Sequence, residues 1–421
     1  MKDQSTEAAY GLARQRYSAL GVDTEAGLSR LTSVELSLPC WQGDDVQGFE
    51  IHEAAVSDSS MRTTGNYPGR ARTPDELRQD LLKALSPIPG RHRVNLHAMY
   101  GEFSDSRVDR NQIKPEHFTG WMDWAKQNSL KLDFNATLFN HPKAASGFTL
   151  SSRDDATRAF WIDHVKRCRT ISAQIGKAQG SPCYHNLWIP DGMKDTCVDR
   201  GGYRKLLLES LDRIFSETFP VHEVRDSLEP KLFGIGSESY VVGSFEFYLG
   251  YALSHGLALC LDTGHFHPTE SVADKLSALL PFSKELVLHI SRGVRWDSDH
   301  VPVFDDALRE LCCEIVRTDA LDRVHIALDF FDASINRVGA WVIGARAVLK
   351  GLLSALLEPR ERLLTAEHSG DYLSRLALLE ETRSLPLGAV WDHYCLQNGI
   401  PLDSEWVAEV KAYEREVLSQ R

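Results

Sequence analysis

Eight short apolar segments, several of them rich in β-branched residues, alternate along this chain with segments of helical periodicity. The predicted strands cover residues 34–41, 93–100, 131–137, 183–189, 227–235, 257–266, 286–291 and 324–331. Parallel neighbours need a long crossover between them, which is usually a helix. Eight strand–helix units in series are what a closed (β/α)8 barrel, the TIM barrel, requires, so the sequence predicts an α/β protein of this architecture. An open, doubly wound sheet is the alternative, because alternation by itself does not close a sheet.

The chain divides into two predicted regions. The chain is predicted to form the barrel, with an N-terminal helix, over residues 1–335 and a C-terminal helical extension over residues 336–421. That extension would lie outside the eight strand–helix units. Its helices would close one side of the barrel and contact other subunits. Residues 42–73 lack periodicity and contain several glycines, which is typical of a lid over a functional site. The alternative for this segment is a mobile surface insertion.

Composition and charge exclude several classes of protein. The formal net charge of −12 opposes general nucleic-acid binding, which needs a basic surface. The eight cysteines include no Cys-x-x-Cys pair, so neither a zinc ribbon nor a thioredoxin motif is present. The polar N-terminus lacks the apolar core of a signal peptide, and the apolar segment 341–357 is interrupted by Arg346 and Lys350. We therefore expect a cytoplasmic protein with reduced thiols and with neither nucleic-acid nor membrane partners.

Carboxylate and imidazole side chains collect at the ends of the last four predicted strands. They are Glu229, Asp262, His265, His289, Asp297, Asp299 and Asp329. Taken singly, an Asp after a strand is usually a helix cap or turn former, and a strand His is usually a satisfied core residue. Taken together, such groups beside apolar strands are costly unless they are paired or bind metal. In a barrel the strand ends meet at one mouth, so the sequence predicts a shared cation site there.

The donor types suit particular ions. Carboxylates with some imidazole and no thiolate favour Mn²⁺, Mg²⁺ or Co²⁺ and tolerate Zn²⁺. A single divalent ion would leave excess negative charge, so two ions per subunit are predicted. One ion would be held rigidly by strand residues, Glu229, Asp262, His289 and Asp329. A second, more open ion would be held by loop residues, His265, Asp297 and Asp299, with Asp262 placed to bridge the two.

Three other residues are candidates for contact with a substrate. Lys231 is two residues from Glu229 on the same face of a strand and can polarise a substrate oxygen; its alternative is a salt bridge to a neighbouring acid. His97 can act as an acid or base, and its alternative is a core histidine. Trp188 offers a flat indole that can form a wall for a sugar, although core packing explains it equally well.

Several long motifs resemble those of known sugar isomerases. The set Glu229-Pro-Lys231, Asp262-x-x-His265 and Asp297-x-Asp299 resembles the two-metal site of the xylose-isomerase-type barrels. The resemblance to the bacterial L-rhamnose isomerase family is closer and runs nearly end to end. It is carried by blocks such as Cys40-Trp-Gln-Gly-Asp-Asp-Val, Asn186-Leu-Trp-Ile-Pro-Asp-Gly-Met-Lys-Asp195, Gly264-His-Phe-His-Pro-Thr-Glu270, Arg295-Trp-Asp-Ser-Asp-His300 and Leu328-Asp-Phe-Phe-Asp-Ala-Ser-Ile-Asn336. The chain departs from that family at Gly293, where the family has proline.

The resemblance implies the first step of rhamnose catabolism, the conversion of L-rhamnose to L-rhamnulose, by a cytoplasmic homotetramer that prefers Mn²⁺. It also implies that the four strand residues hold a structural ion and the three loop residues hold a catalytic ion. Lys231 would contact a substrate oxygen, and the loop 42–73 would be a mobile lid.

The expected mechanism is a metal-assisted hydride shift from C2 to C1 of the sugar, with Lys231 assisting at O1. The rival mechanism is a cis-enediol route in which a carboxylate such as Asp329 moves a proton. Two other functions remain open on the residues alone, because barrels host many chemistries. One is another metal-dependent aldose isomerase or sugar epimerase, and the other is a non-catalytic protein that binds sugar or metal.

Overall fold

Eight parallel strands form a closed barrel in which each strand pairs with its neighbours in chain order, and the last pairs with the first. The computed structural model describes residues 2–50, 63–103, 107–236, 238–295 and 297–421. The strands are β1 Glu35–Pro39, β2 Arg91–His97, β3 Lys131–Asn135, β4 Cys183–Trp188, β5 Val224–Glu229, β6 Ala258–Asp262, β7 Leu286–Ile290 and β8 Val324–Leu328. This closure confirms the predicted TIM barrel over the open sheet.

A ring of helices surrounds the barrel, one after each strand. Their bounds are α3 Pro74–Leu85, α4 Thr119–Gln127, α5 Asp155–Gln179, α6 Arg200–Phe215, α7 Phe245–His255, α8 Val272–Leu279, α9 Asp306–Arg317 and α10 Arg337–Leu356. Two helices precede the barrel, α1 Lys2–Ala19 and α2 Thr24–Thr32. Four helices follow the ring, α11 Arg360–His368, α12 Tyr372–Thr382, α13 Leu387–Gln397 and α14 Glu405–Glu416. A short antiparallel ladder between Gly192–Met193 and Tyr240–Val241 was not predicted.

Helix α10 corrects the expectation that everything from residue 336 onward lies outside the barrel. It packs against α2, α3, α9 and β1, and Trp341 donates its indole N–H to the carbonyl of Pro39 at 2.8 Å. By length and composition α10 could cross a membrane, but 83% of its most apolar 18-residue segment is buried inside the protein. Its apolar residues face neighbours on all sides because this helix completes the ring. The division of the chain at residue 335 and the subunit contacts stay predictions.

The lower end of the barrel lumen is filled by charged and aromatic side chains. Asp133 on β3 accepts hydrogen bonds from two groups of the buried Arg93, Nε and Nη2, and its Oδ2 lies 3.0 Å from Nε2 of His325 on β8. Because β1 and β2 separate β3 from β8, that last contact crosses the lumen. Tyr184 stacks on His325 with the ring centroids 3.7 Å apart. This polar layer closes the bottom of the barrel and leaves the upper end for the site.

The predicted lid falls partly outside the described residues, since residues 51–62 are not among them. Its returning arm lies along the loop after β8: Gly65 forms a bridge with Ala333, and Tyr67 N donates to the carbonyl of Ala333 at 2.8 Å. Gly65 has a φ of +103°, and a Cβ there would lie 2.4 Å from the Ala333 backbone, so this close approach requires glycine. The lid function stays a prediction.

Candidate active site

Four side chains converge at the upper ends of β5 to β8. Glu229 and Asp262 are the last residues of β5 and β6, His289 is the penultimate residue of β7, and Asp329 directly follows β8. One donor atom from each lies within 4.8 Å of the donors of the other three. Parallel strands place their carboxyl ends at one mouth, which explains why these distant residues meet. This group, the four-donor cluster, is the first ligand set that the sequence predicted.

The four-donor cluster and its neighbour Asp297 fit a cation. Asp262 Oδ2, His289 Nδ1 and Asp297 Oδ1 are buried and have no hydrogen-bond partner. An unsatisfied buried polar atom costs roughly 1–3 kcal/mol, so three of them in one place need an explanation. His289 Nδ1 lies 3.0 Å from Asp329 Oδ2 and 3.2 Å from Glu229 Oε2, but neither contact is a hydrogen bond. A divalent cation held by the cluster would satisfy Asp262 and His289, and a second one beside it would satisfy Asp297.

The electrostatics of the site also show an excess of negative charge. Burial raises the pKa of Asp262 to about 7, with further increases from Asp329 and Glu229. Burial and the neighbouring Asp297 hold the pKa of Asp299 well above its usual range. For His265, burial opposes protonation, but the carboxylates of Asp262 and Glu229 outweigh it and raise the pKa to about 9. On Glu229, burial is outweighed by His289 and His265, which act in the opposite direction and hold the pKa of its carboxyl well below its usual range. The site thus gathers several buried carboxyl groups that repel one another or depend on a nearby positive charge, which suits the binding of a cation.

The second predicted ligand set lies beside the first and is looser. His265 Nε2 is 3.6 Å from Asp297 Oδ2 and 3.9 Å from Asp262 Oδ2. Asp299 has a positive φ of 46° and lines the same cavity as Glu229. The structure therefore brings all three loop residues to the mouth where the four-donor cluster lies.

Lys231 forms the salt bridge that was its alternative explanation. Its Nζ lies 2.8 Å from Asp297 Oδ2 and 4.9 Å from the centroid of the Trp188 ring. Burial opposes its protonation, but Asp297 and Asp299 outweigh it and raise its pKa. The ammonium group therefore remains charged inside the cavity.

The remaining wall of the cavity is aromatic. It encloses about 500 Å³ including its open mouth, and its aromatic lining consists of Trp41, His97, Phe139, Trp188 and Phe331. His97 Nδ1 lies 3.2 Å from the hydroxyl of Thr137, and burial lowers its pKa to about 3. His97 is therefore a neutral ring in the cavity wall, with both of its predicted roles open. Opposite these rings the cavity is lined by carboxylate, imidazole, amide and ammonium groups, and this combination suits a small polar ligand such as a monosaccharide.

Several residues that orient the four-donor cluster were missed by the sequence analysis. Asn186 on β4 donates to Glu229 Oε2, and Trp41 donates its indole N–H to Asp329 Oδ1 at 3.1 Å. Gly264 N donates to Asp262 Oδ1 at 2.6 Å, and a Cβ on Gly264 would lie 2.6 Å from Asp297 Oδ1. An Asn within the buried strand β4 was a sequence signal for such a role. The contact of Trp41 had none, because it depends on barrel closure.

A cysteine beside the four-donor cluster was also missed. The Cys260 thiol lies within reach of Glu229 and His289. Burial holds the pKa of this thiol well above its usual range. Because a thiol binds metal as thiolate, the carboxylate of Asp262 is the better fourth donor.

The family model and three relatives that match this chain are all of L-rhamnose isomerases. Residues 4–421 match the family model for L-rhamnose isomerase. The chain is 57% identical over 415 residues to an L-rhamnose isomerase of Rhodopirellula baltica, covering 99% of this chain and 97% of that protein. It is 54% identical over 420 residues to one of Bacteroides thetaiotaomicron, covering all of both, and 56% identical over 416 residues to one of Escherichia coli, covering 99% of each.

A solved structure supports the fold alone. An L-ribulose 3-epimerase structure is 12% identical, with a TM-score of 0.50, and covers 79% of this chain and 97% of its own. The whole-length family match and the relatives above 50% identity go further: the chain belongs to the L-rhamnose isomerase family.

Proposed function

We propose that the cavity converts L-rhamnose reversibly to L-rhamnulose with two divalent ions, Mn²⁺ being preferred. The observation that carries this proposal is the four-donor cluster of Glu229, Asp262, His289 and Asp329, with its buried unpartnered atoms at the mouth of the barrel. The names of the relatives, all L-rhamnose isomerases, support the choice of sugar.

The two sets of side chains would hold one ion each. The four-donor cluster, drawn from strand ends, would bind the rigid ion, and His265, Asp297 and Asp299 would bind the more open one. Bound divalent ions would stabilise the negative charge that develops on the two adjacent sugar oxygens and lower the pKa of the O2 hydroxyl.

The protein's own side chains would bind and orient the sugar. Lys231, kept charged by Asp297, would donate a hydrogen bond to O1 as charge develops there. His97, which is neutral, has its Nδ1 engaged by Thr137 and would orient a sugar hydroxyl through Nε2. The indole face of Trp188 would cover the apolar face of the ring and exclude water.

A hydride shift is the expected route of hydrogen transfer. The C2–H bond would break and a C1–H bond would form with the same electron pair, while O2 loses a proton and O1 gains one. In the rival cis-enediol route Asp329 would carry a proton from C2 to C1 and exchange it with solvent. The reaction run in D₂O separates the two: we expect no deuterium at C1 of L-rhamnulose, and substantial incorporation would reject the hydride shift.

The activity itself is tested with a panel of aldoses and detection of ketose. Protein treated with a chelator should lose activity, and Mn²⁺, Co²⁺, Mg²⁺ and Zn²⁺ should restore it to different degrees, with Mn²⁺ best. L-Rhamnose should give the highest kcat/KM of the panel. Preference for another aldose would favour a related isomerase, and epimerised product without ketose would favour an epimerase.

We also propose that the protein acts as a cytoplasmic homotetramer. Helix α12 has no buried residue, and Tyr372, Leu373 and Leu376 on it are 60%, 81% and 65% exposed. An exposed apolar helix face of this kind is typical of an association surface. Light scattering after gel filtration should give four times the monomer mass, and a monomer would contradict the proposal.

A further inference from the structure

The seam where the barrel closes lacks strand pairing at the level of the site. The ladder between β1 and β8 consists of Leu36 with Ile326 and Ser37 with Ala327, and it ends before Asp329. On the other side of β1 the ladder to β2 continues to Pro39. Asp329 therefore has no strand partner across the seam to fix it.

Two consecutive side chains after β1 bridge this gap. The Trp41 indole N–H donates to Asp329 Oδ1 at 3.1 Å. The Gln42 amide makes a two-point contact with the backbone of Asp332: its Nε2 donates to the carbonyl at 3.0 Å, and its Oε1 accepts from the amide N–H at 2.6 Å. The pair replaces strand pairing with side-chain hydrogen bonds.

Asp329 is the member of the four-donor cluster that most needs such support. Its side chain is 19% exposed, whereas those of Glu229 and His289 are 3% and 2% exposed. A carboxylate held by packing alone can rotate and present either oxygen. The indole bond occupies Oδ1 and leaves Oδ2 facing the cluster, 3.0 Å from His289 Nδ1.

Both bridging side chains are themselves well fixed. Trp41 is 2% exposed and its ring meets the edge of His97 with the centroids 4.8 Å apart. Gln42 is 1% exposed. A rigid donor transmits its geometry to the group that it binds, and this is how outer partners orient metal ligands.

We propose that Trp41 and Gln42 are positioning residues that hold Asp329 in the orientation the cation site requires. Trp41 fixes the carboxylate, and Gln42 fixes the backbone of the loop that carries it. Because this role rests on the proposed metal site, the test must separate the site itself from its positioning.

Binding of Co²⁺ to chelator-treated full-length protein provides that test. Trp41→Phe keeps the ring and removes the N–H donor, and Gln42→Met keeps the length and removes both amide bonds. Trp121→Phe is the matched control, because Trp121 is a fully buried indole that donates to the carbonyl of Tyr100 at 2.9 Å, outside the site. The measurements are the Co²⁺ dissociation constant and the visible absorption spectrum of bound Co²⁺, which reports ligand geometry independently of turnover.

We expect Trp41→Phe to weaken Co²⁺ binding by about 10-fold or more, as is typical for loss of an outer partner of a metal ligand, and to change the spectrum at saturation. Gln42→Met should change both in the same direction by less, and Trp121→Phe should change neither. Unaltered affinity and spectrum in Trp41→Phe would overturn the positioning role while leaving the metal site intact. If Trp41→Phe does not fold, unaltered binding in Gln42→Met overturns it instead. Failure of the wild-type protein to bind Co²⁺ would overturn the metal site and the positioning role together.

Discussion

Lys231 Nζ lies 2.8 Å from Asp297 Oδ2, and the two side chains are only 6% and 2% exposed. This ion pair joins the residue two positions after β5 to the loop after β7. A buried cation beside an excess of carboxylates stays charged at neutral pH. It provides a fixed positive charge next to the proposed catalytic ligands, at the place where a sugar oxygen would become negative.

Removal of that charge should impair turnover. We expect Lys231→Met to lower kcat at least about 100-fold, since loss of one electrostatic contact to a developing charge typically costs this much. Lys275→Met is the matched control, because Lys275 pairs with Glu270 at 2.7 Å away from the cavity. Steady-state kinetics on L-rhamnose measure both variants, and equal kcat values for the two would contradict the role of Lys231.

The second ligand set should be essential for chemistry. Asp297→Asn retains the shape of the side chain but removes its charge, and we expect kcat to fall by at least about two orders of magnitude. Asp305→Asn serves as the control: Asp305 caps α9 by accepting from Leu308 N, a bond that asparagine can also form. An Asp297→Asn enzyme that binds metal and sugar and turns over normally would refute the proposed role of this loop.

The lower layer of the barrel should govern stability and not catalysis. Asp133→Asn would remove the buried carboxylate that pairs with the Arg93 guanidinium and leave Glu35, at 3.1 Å, as its remaining charged partner. Breaking a buried pair costs about 3–5 kcal/mol of unfolding free energy, and because Glu35 remains we expect a loss of about 3 kcal/mol. Denaturant unfolding measures this loss, and kcat per folded molecule should be retained. By contrast, Asp322→Asn removes an exposed pair with Arg30 and should cost less than about 1 kcal/mol. Equal losses of unfolding free energy in the two variants would show that the polar layer contributes no more to stability than an exposed ion pair.

Asp44 should give stability an unusual pH dependence. It is buried, accepts from the Tyr100 hydroxyl at 2.6 Å, and burial raises its pKa to about 7. Between roughly pH 4 and 7 the native state keeps a proton that the unfolded chain has lost, so this group's contribution to stability falls as pH rises through that window and is constant above it. Asp44→Asn cannot titrate and should become more stable relative to wild type between pH 5 and pH 8.

Denaturant unfolding of both proteins at the two pH values measures this effect. Over the whole titration range, the stability of Asp44→Asn relative to wild type should increase by on the order of 4 kcal/mol. Most of this increase should occur between pH 5 and pH 8. Metal binding is common to the two proteins, so the comparison isolates Asp44. The same stability difference at both pH values would show that Asp44 does not titrate between them.

The strands could be predicted because long apolar runs between polar turns mark buried parallel strands whatever their partners. For two strands, the predicted carboxyl end lies several residues beyond the observed one. The fifth predicted strand extends to residue 235, but β5 ends at Glu229 because Pro230 has no N–H to continue the ladder. The sixth extends to residue 266, but β6 ends at Asp262, whose side chain accepts from Gly264 N and turns the chain.

The gathering of the four-donor cluster could be predicted because Glu, Asp and His stand out against apolar strands. Their orienting partners could not, because they depend on which strands become neighbours. Trp41 and Asp329 are 288 positions apart and meet only when β1 closes onto β8. The same closure explains α10, since an apolar helix after β8 has a site in the ring only in a completed barrel.

The polar layer formed by Arg93, Asp133 and His325 also has a kinetic consequence. It closes the end of the lumen beneath the described cavity, so a sugar must enter and depart at the carboxyl ends of the strands. Aldose and ketose then use a common passage in turn. A ketose that returns through this mouth competes with the aldose for the same cavity, so accumulated product slows the forward reaction.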